Sequence, residues 1–155
     1  MKLAIVGLGG SYSDYIAARI RSEHFDEVWG INCVGGIIHV DKTIMMDPVS
    51  RFLDSDDAGS QTGIARKFLE KNTKPIITCE MDSRVKHLEL YPLEAVIKDL
   101  NVCYFNNTVP YAIAYAIYYG VKELCLYGLD YTYKNVSMAE AGRACTEFWC
   151  AIATT

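Results

Sequence analysis

No apolar run in this chain approaches the ~20 residues that a helix needs to cross a bilayer. The amino-terminal residues, one Lys and then a short apolar stretch, lack the long apolar region and cleavage pattern of a signal peptide. A membrane is therefore not an expected partner, and the cytoplasm is the expected compartment. Positive charge is scarce: 15 Lys and Arg stand against 19 Asp and Glu, a net charge of −4. No basic field exists to hold a nucleic acid backbone. The six cysteines include no C-x-x-C, and no Cys/His spacing resembles a zinc site. Cys79, Cys103 and Cys125 lie in apolar strand-like runs, Cys33 follows another, and Cys145 and Cys150 fall on a last helix. They read as free thiols behaving as small hydrophobes in a reducing compartment. No Ser-His-Asp order and no Cys–His pair is discernible. His39 reads as a core residue, His24 and His87 as exposed ones. Internal repeats and low-complexity tracts are absent.

What is present is an ordinary globular composition, 51% apolar and 22% charged, in a chain of 155 residues long enough to bury a core. Apolar strand-like runs alternate with helical patterns. Strands are expected at 2–6, 27–32, within 36–47, at 75–80, 102–105 and 123–128. Helices are expected at about 12–22, 61–71, 91–100 and 107–120, and from about 138 onward. Residues 48–60 are polar and read as an exposed loop; residues 81–90 are ambiguous. The alternation predicts an α/β, Rossmann-like, doubly wound and mostly parallel sheet of about six strands with helices on both faces. Residues 1–155 read as a single such domain. The apolar last helix, CTEFWCAIATT, has no Gly or Pro stop, which leaves open that the chain is one domain of something longer. Phe148 and Trp149 on that helix, if exposed, favour a homo-oligomer.

The first strand runs straight into Gly7-Leu8-Gly9-Gly10-Ser11 and then a helix. Strand, glycine turn and helix start make an anion site, because amide N–H groups point outward and the helix dipole favours phosphate. The loop is not a P-loop, lacking G-x-x-x-x-G-K-[ST]. Nor does it complete the dinucleotide fingerprint: Tyr12 stands at the third glycine position, and the second strand ends in Asn32 rather than an acid. Ser11 and Asp14 fit a capping box. What survives is a phosphate or ribose loop, with a plain turn and cap as the alternative.

Ligands of open parallel sheets bind beyond the carboxyl ends of the strands. Each strand here delivers polar groups to that rim: Gly7 to Ser11, then Asn32, then Asp47, then Glu80, Asp82 and Arg84, then Asn106, Asn107 and Thr108, and finally Gly128, Asp130, Tyr131 and Tyr133. Asp130 directly follows an apolar strand, where an acid is costly unless used or paired. Glu80 and Asp82 are of the type that holds Mg²⁺ against a phosphate. Thr108 reads as a helix N-cap and Gly120 as its C-cap. Tyr111, Tyr115, Tyr118 and Tyr119 share one side of that helix, either covering the sheet or offering a stacking platform.

Residues 107–133, NTVPYAIAYAIYYGVKELCLYGLDYTY, resemble a helix–strand signature of the Campylobacter-type bacterial sialyltransferases. The same pattern resembles archaeal hydroxymethylpterin diphosphokinase-like proteins and Rossmann-like proteins of bacteriophages. In the phage-type proteins an E-x-G-R-x-C-x-E-[FY]-W helix follows, matched here by Glu140, Gly142, Arg143, Cys145, Glu147, Phe148 and Trp149. The phage-type resemblance covers nearly the whole chain, the sialyltransferase one about a third. The resemblance implies a nucleotide or nucleotide-sugar, such as a CMP-sugar, held by Gly7, Gly9, Gly10, Ser11, Asn32, Asn107, Thr108 and Gly128. It implies Asp130 and His87 as catalytic candidates. Arg84, Arg143, Glu80 and Asp47 are candidates for substrate or phosphate, with Mg²⁺ as an optional companion and no dedicated metal site. The expected function is a nucleotide- or nucleotide-sugar-binding, glycosyltransferase-like protein of phage type. Two alternatives stand beside it: a non-catalytic nucleotide-binding or interaction module, and a Mg²⁺-dependent pyrophosphokinase-like enzyme.

Overall fold

The alternating apolar runs pair side by side as strands. In the computed structural model, which describes residues 1–155, these are β1 (Lys2–Val6), β2 (Glu27–Ile31), β3 (Lys42–Met45), β4 (Ile76–Thr78), β5 (Leu88–Leu90) and β6 (Glu123–Tyr127). They form one sheet in the order β5-β4-β3-β2-β1-β6, and every neighbouring pair is parallel. The helices are α1 (Tyr12–Ile20), α2 (Val49–Asp54), α3 (Ser60–Lys71), α4 (Leu93–Leu100), α5 (Thr108–Tyr118) and α6 (Val136–Ala153), with a short 3₁₀ turn at Asn32–Gly36. None is long and apolar enough to cross a membrane.

Side chains along a strand alternate between faces, and here both faces are apolar. Leu3, Ile5, Trp29, Ile31, Ile44 and Ile77 point to the side covered by α4, α5 and α6, where Val96, Ile113 and Trp149 meet them. Ala4, Val6 and Val28 point the other way, against Tyr15 and Ala18 of α1. Further along that second face Met45 and Ile76 pack against α2 and α3 through Phe52, Ala65 and Phe68. Trp29 and Trp149 are both fully buried, and each such burial contributes several times the ~0.8 kcal/mol of a buried methylene. This is the doubly wound, Rossmann-like arrangement expected from the sequence.

Several local expectations fail for identifiable reasons. Residues 102–105 are not a strand. Phe105 stacks on Trp149 and Tyr111 instead, and the Tyr104 carbonyl accepts the Trp149 indole N–H at 2.7 Å. The fifth strand comes from the ambiguous segment, as Leu88–Leu90. Residues 49–54 of the supposed loop are helical, with Val49 and Phe52 buried one turn apart; that spacing after Pro48 was the available signal. Trp149 is buried within its own domain, so only Phe148 stays exposed to serve the self-association expected of this helix. His39 is exposed beside Asp41 rather than in the core, because β3 begins only at Lys42. Cys79 and Cys103 are exposed; Cys33 and Cys145 are the buried thiols. Gly120 does close α5, at φ 74°, with the Val121 N–H reaching back to Ala116.

The winding fixes where a ligand crevice opens. From β1 to β5 each step goes the same way. The chain then returns across the sheet to lay β6 on the other side of β1. α1 leaves β1 over one face while α6 leaves β6 over the other, so the winding reverses at the β1–β6 pair, beside which a ligand crevice is expected.

Candidate functional site

Above β1 and β6 the two loops are stitched together. The Gly7 N–H donates to the Tyr127 carbonyl and the Gly9 N–H to the Gly128 carbonyl, each at 2.8 Å. The Gly128 N–H donates to Ser11 Oγ at 3.1 Å, and the Ser11 N–H to Asp130 Oδ2 at 3.0 Å. The glycines follow from this approach. A Cβ on Gly7 would lie 2.6 Å from the Gly128 carbonyl oxygen; on Gly9 it would collide with the Asp130 carboxylate, and on Gly128, at φ 67°, with the Gly7 carbonyl. Only Gly10 faces open space. Ser11 makes no side-chain cap, so the expected capping box with Asp14 does not form. Asp130, from the opposite loop, supplies the negative charge at the start of α1. Within this loop the amides of Leu8 and Gly10 have no partner in the chain.

Beyond the stitch lies a cleft in two connected parts. One, about 300 Å³, is lined by the glycine loop, Gln61 and Gly128 to Tyr133. The other, about 450 Å³, is lined by Met46, Asp47, Phe105 to Val109 and Tyr111. Ile31, Asn32, Val109 and Tyr133 line both. Asn32 therefore stands at the junction. It ends β2 in the left-handed region, at φ 54°, and its Oδ1 is buried without a hydrogen-bond partner. Asparagine tolerates that backbone better than most residues, but an orphaned buried acceptor costs about 1–3 kcal/mol.

Asn107 and Thr108 sit on the far wall, in roles other than those expected. Asn107, not Thr108, is the N-cap of α5: its Oδ1 accepts from the Val109 N–H at 3.1 Å. The same oxygen accepts the Tyr131 hydroxyl at 2.8 Å, and that hydroxyl lies 2.5 Å from Thr146 Oγ1. Asn107 Nδ2 donates to Asn106 Oδ1 at 2.7 Å. Burial raises the Tyr131 phenol to about 12 despite these bonds, so it stays a neutral donor at physiological pH. Gly142 admits the Tyr131 ring, since a Cβ there would lie 2.6 Å from it. Asn107 is thus occupied in tying α5 to the β6 loop and α6. Thr108 is nearly buried at the cleft wall. Neither Gln61 nor Thr146 carried a signal that would have marked it.

The remaining candidates scatter. His87 precedes β5, at the amino end of the sheet, where its carbonyl accepts from the Ile76 N–H; the cleft is at the opposite end. Arg84 forks onto Asp54, at 2.5 and 2.9 Å, and onto Asp82, at 2.7 Å. These bonds push the Asp82 carboxyl down to about 2. Asp47 lines the cleft but is paired with Arg51 at 2.8 Å. Glu80 accepts from Ser50 Oγ at 2.9 Å. Asp47, Glu80 and Asp130 do not converge, and no group of three or more His, Cys, Asp or Glu side chains is placed to hold a metal ion. Arg143 is exposed on α6, loosely paired with Glu147 at 3.8 Å, and borders a shallow depression shared with Asp130, Tyr131 and Tyr133. No Lys, Arg or His lines either part of the cleft. Of the tyrosines on α5, Tyr115 is core against Trp29, and Tyr111 stacks on Phe105 at 4.3 Å while lining the cleft.

The arrangement is a neutral cleft walled by amides, hydroxyls and aromatic rings, with a carboxylate at each end. Compared with protein-family models, with curated proteins and with solved structures, the chain has no match.

Proposed function

We propose that the cleft binds a nucleoside-containing small molecule of low charge, of the nucleotide-sugar kind, and that the protein is glycosyltransferase-like. The observation that carries this reading is the unpaired Oδ1 of Asn32 at the junction of the two parts. Asn32 lines both parts of the cleft, and a turn of its side chain would bring this oxygen, sealed from solvent in the free protein, to a base amine or a sugar hydroxyl. The flanking Tyr111 and Tyr133 offer ring surface to the base or sugar. A single phosphate group suits what remains, the unpaired amides of Leu8 and Gly10, with Arg143 beside an adjoining depression rather than in the cleft. A triphosphate does not suit a cleft whose charged side chains are Asp47 and Asp130. In such a transferase the loop amides stabilise the leaving phosphate, and Asp130 orients substrate hydroxyls. The resemblance of residues 107–133 to the sialyltransferase signature makes CMP and CMP-sugars the first ligands to test.

The test is thermal unfolding, followed by calorimetric titration, with cytidine, CMP, CDP, CTP and the uridine and adenosine equivalents. At ligand about 100-fold above Kd, a binder stabilises by about 2.7 kcal/mol, a shift of several degrees. We expect the nucleoside or monophosphate to bind more tightly than the triphosphate of the same base. No shift with any nucleoside or nucleotide would overturn the reading. Mg²⁺-dependent tight binding of a triphosphate would replace it with the pyrophosphokinase-like alternative.

A further inference from the structure

A concavity larger than either part of the cleft lies outside it. It is a groove of about 560 Å³ between the 3₁₀ turn after β2 and one face of α3. Cys33 and Phe68 are buried beneath it, while Ile37 and Ile64 line it with about half or more of their surface exposed, 65% and 53%. Ile64, Lys67, Phe68 and Lys71 follow the i, i+3, i+4, i+7 spacing that places them on one helix face. The two lysines therefore stand one turn apart beside an apolar trough. Lys67 and Lys71 line the groove, make no ion pair, and share its lining with no acidic side chain. Two like charges at this spacing slightly oppose the helix, and a bound anion relieves that.

We infer that this groove is a second ligand site, for a free amphipathic molecule with an apolar body and an anionic head group held by Lys67 and Lys71. Its volume lies in the range of small-molecule sites, about 300–1,000 Å³. Leu8 and Gln61 line both this groove and the glycine-loop part of the cleft, so its occupant abuts whatever the cleft holds. Binding in the groove does not depend on the nucleoside reading.

The probe is decanoate below its micellar concentration, titrated into the full chain by calorimetry and amide NMR. Decyltrimethylammonium, of the same chain length and opposite charge, is the control, and anionic phospholipid vesicles form a third arm. We expect decanoate to shift amides of residues 33–37 and 64–72, and the cation to bind at least about tenfold more weakly, as befits a lost charge-assisted contact. The exposed double substitution Lys67→Gln/Lys71→Gln, checked for an unchanged melting temperature, should weaken decanoate by a similar factor. Ile64→Ser should weaken both amphiphiles. The inference is overturned by no decanoate binding, by equal binding of the cation, by indifference to the double substitution, or by binding to vesicles alone. A chain that binds decanoate but no nucleoside would retain this site and lose the one proposed above.

Discussion

The two halves of the carboxyl rim are built on opposite terms. At β1 and β6 every glycine but Gly10 is accounted for by contact with the facing loop, and the Gly9 and Ser11 amides are already bonded to Gly128 and Asp130. At β2 and α5 the reverse holds: Asn32 keeps a buried oxygen unpaired, and the residue borders both parts of the open cleft. A glycine-rich loop after the first strand is the louder signal in the sequence. Here its glycines serve strand-end packing first, and the ligand signal lies with a single asparagine at the end of the neighbouring strand. The same residue type can mark a backbone that must approach a ligand or one that must approach another backbone. Only the facing residue tells which.

The largest effect should come from breaking the stitched half. Gly128→Ala places a methyl group against the Gly7 carbonyl at a left-handed φ. Overpacking and backbone strain together should cost about 2–4 kcal/mol. Gly10→Ala, three residues beyond Gly7 on the same loop, meets nothing and should stay within about 0.5 kcal/mol of the parent. Urea unfolding of the two variants checks this. Equal costs would mean that the loop glycines are not explained by the β1–β6 approach.

The open half is sharpened by Asn32→Gly. Glycine accepts a φ of 54° and removes the orphaned oxygen, so stability should change by less than about 1 kcal/mol and in the favourable direction. Affinity for the cleft ligand found by titration should fall by about tenfold, the value of one neutral hydrogen bond at the upper end of its range. Stability gained with affinity unchanged would make Asn32 a strained turn residue and nothing more.

How much of this was legible follows from which forces are local. The parallel doubly wound sheet could be read because both faces of β1 to β4 are apolar runs set between helical patterns. Gly120 at the end of α5 was legible because a left-handed C-terminal residue has a local signature. The VCYF segment misled because an apolar run of four fits equally a strand or a stretch packed against a helix. Its choice is made by Trp149, more than forty residues on, whose indole reaches the Tyr104 carbonyl. The cap of α1 was illegible for the same reason: Asp130 is 119 residues from Ser11 in sequence. Asn32 was visible as a polar residue ending a strand, but nothing in the sequence says that its oxygen lacks a partner.

A smaller effect is expected at the junction of the halves. Asp130→Asn keeps a hydrogen-bond acceptor for the Ser11 N–H but removes the negative charge facing α1, so about 0.3–1 kcal/mol of stability should be lost. The same change lowers the repulsion of any phosphate near the loop. CDP and CTP should then gain affinity relative to CMP, measured by the same titration. If the three nucleotides keep their order and spacing, Asp130 is a helix cap without influence on the cleft.

The smallest effect distinguishes the rim's outlying charges from the site itself. Arg84 held promise as a phosphate ligand, yet its guanidinium is committed to Asp54 and Asp82 outside the cleft. Those bonds lower both carboxyls, Asp82 to about 2. A carboxyl whose pKa is lower folded than unfolded contributes stability above its unfolded pKa, ordinarily ~3.9. That contribution is lost as pH falls from about 4 toward 2. Asp54 and Arg84 are exposed while the Asp82 side chain is 12% exposed; pairs with an exposed partner contribute little to stability, and carboxyl NMR titration is the sensitive measurement. Arg84→Gln should return the Asp82 midpoint toward the ordinary range while leaving ligand affinity at pH 7 unchanged. A loss of affinity in that variant would extend the site across the rim to β4 and end the division into a used half and an open one.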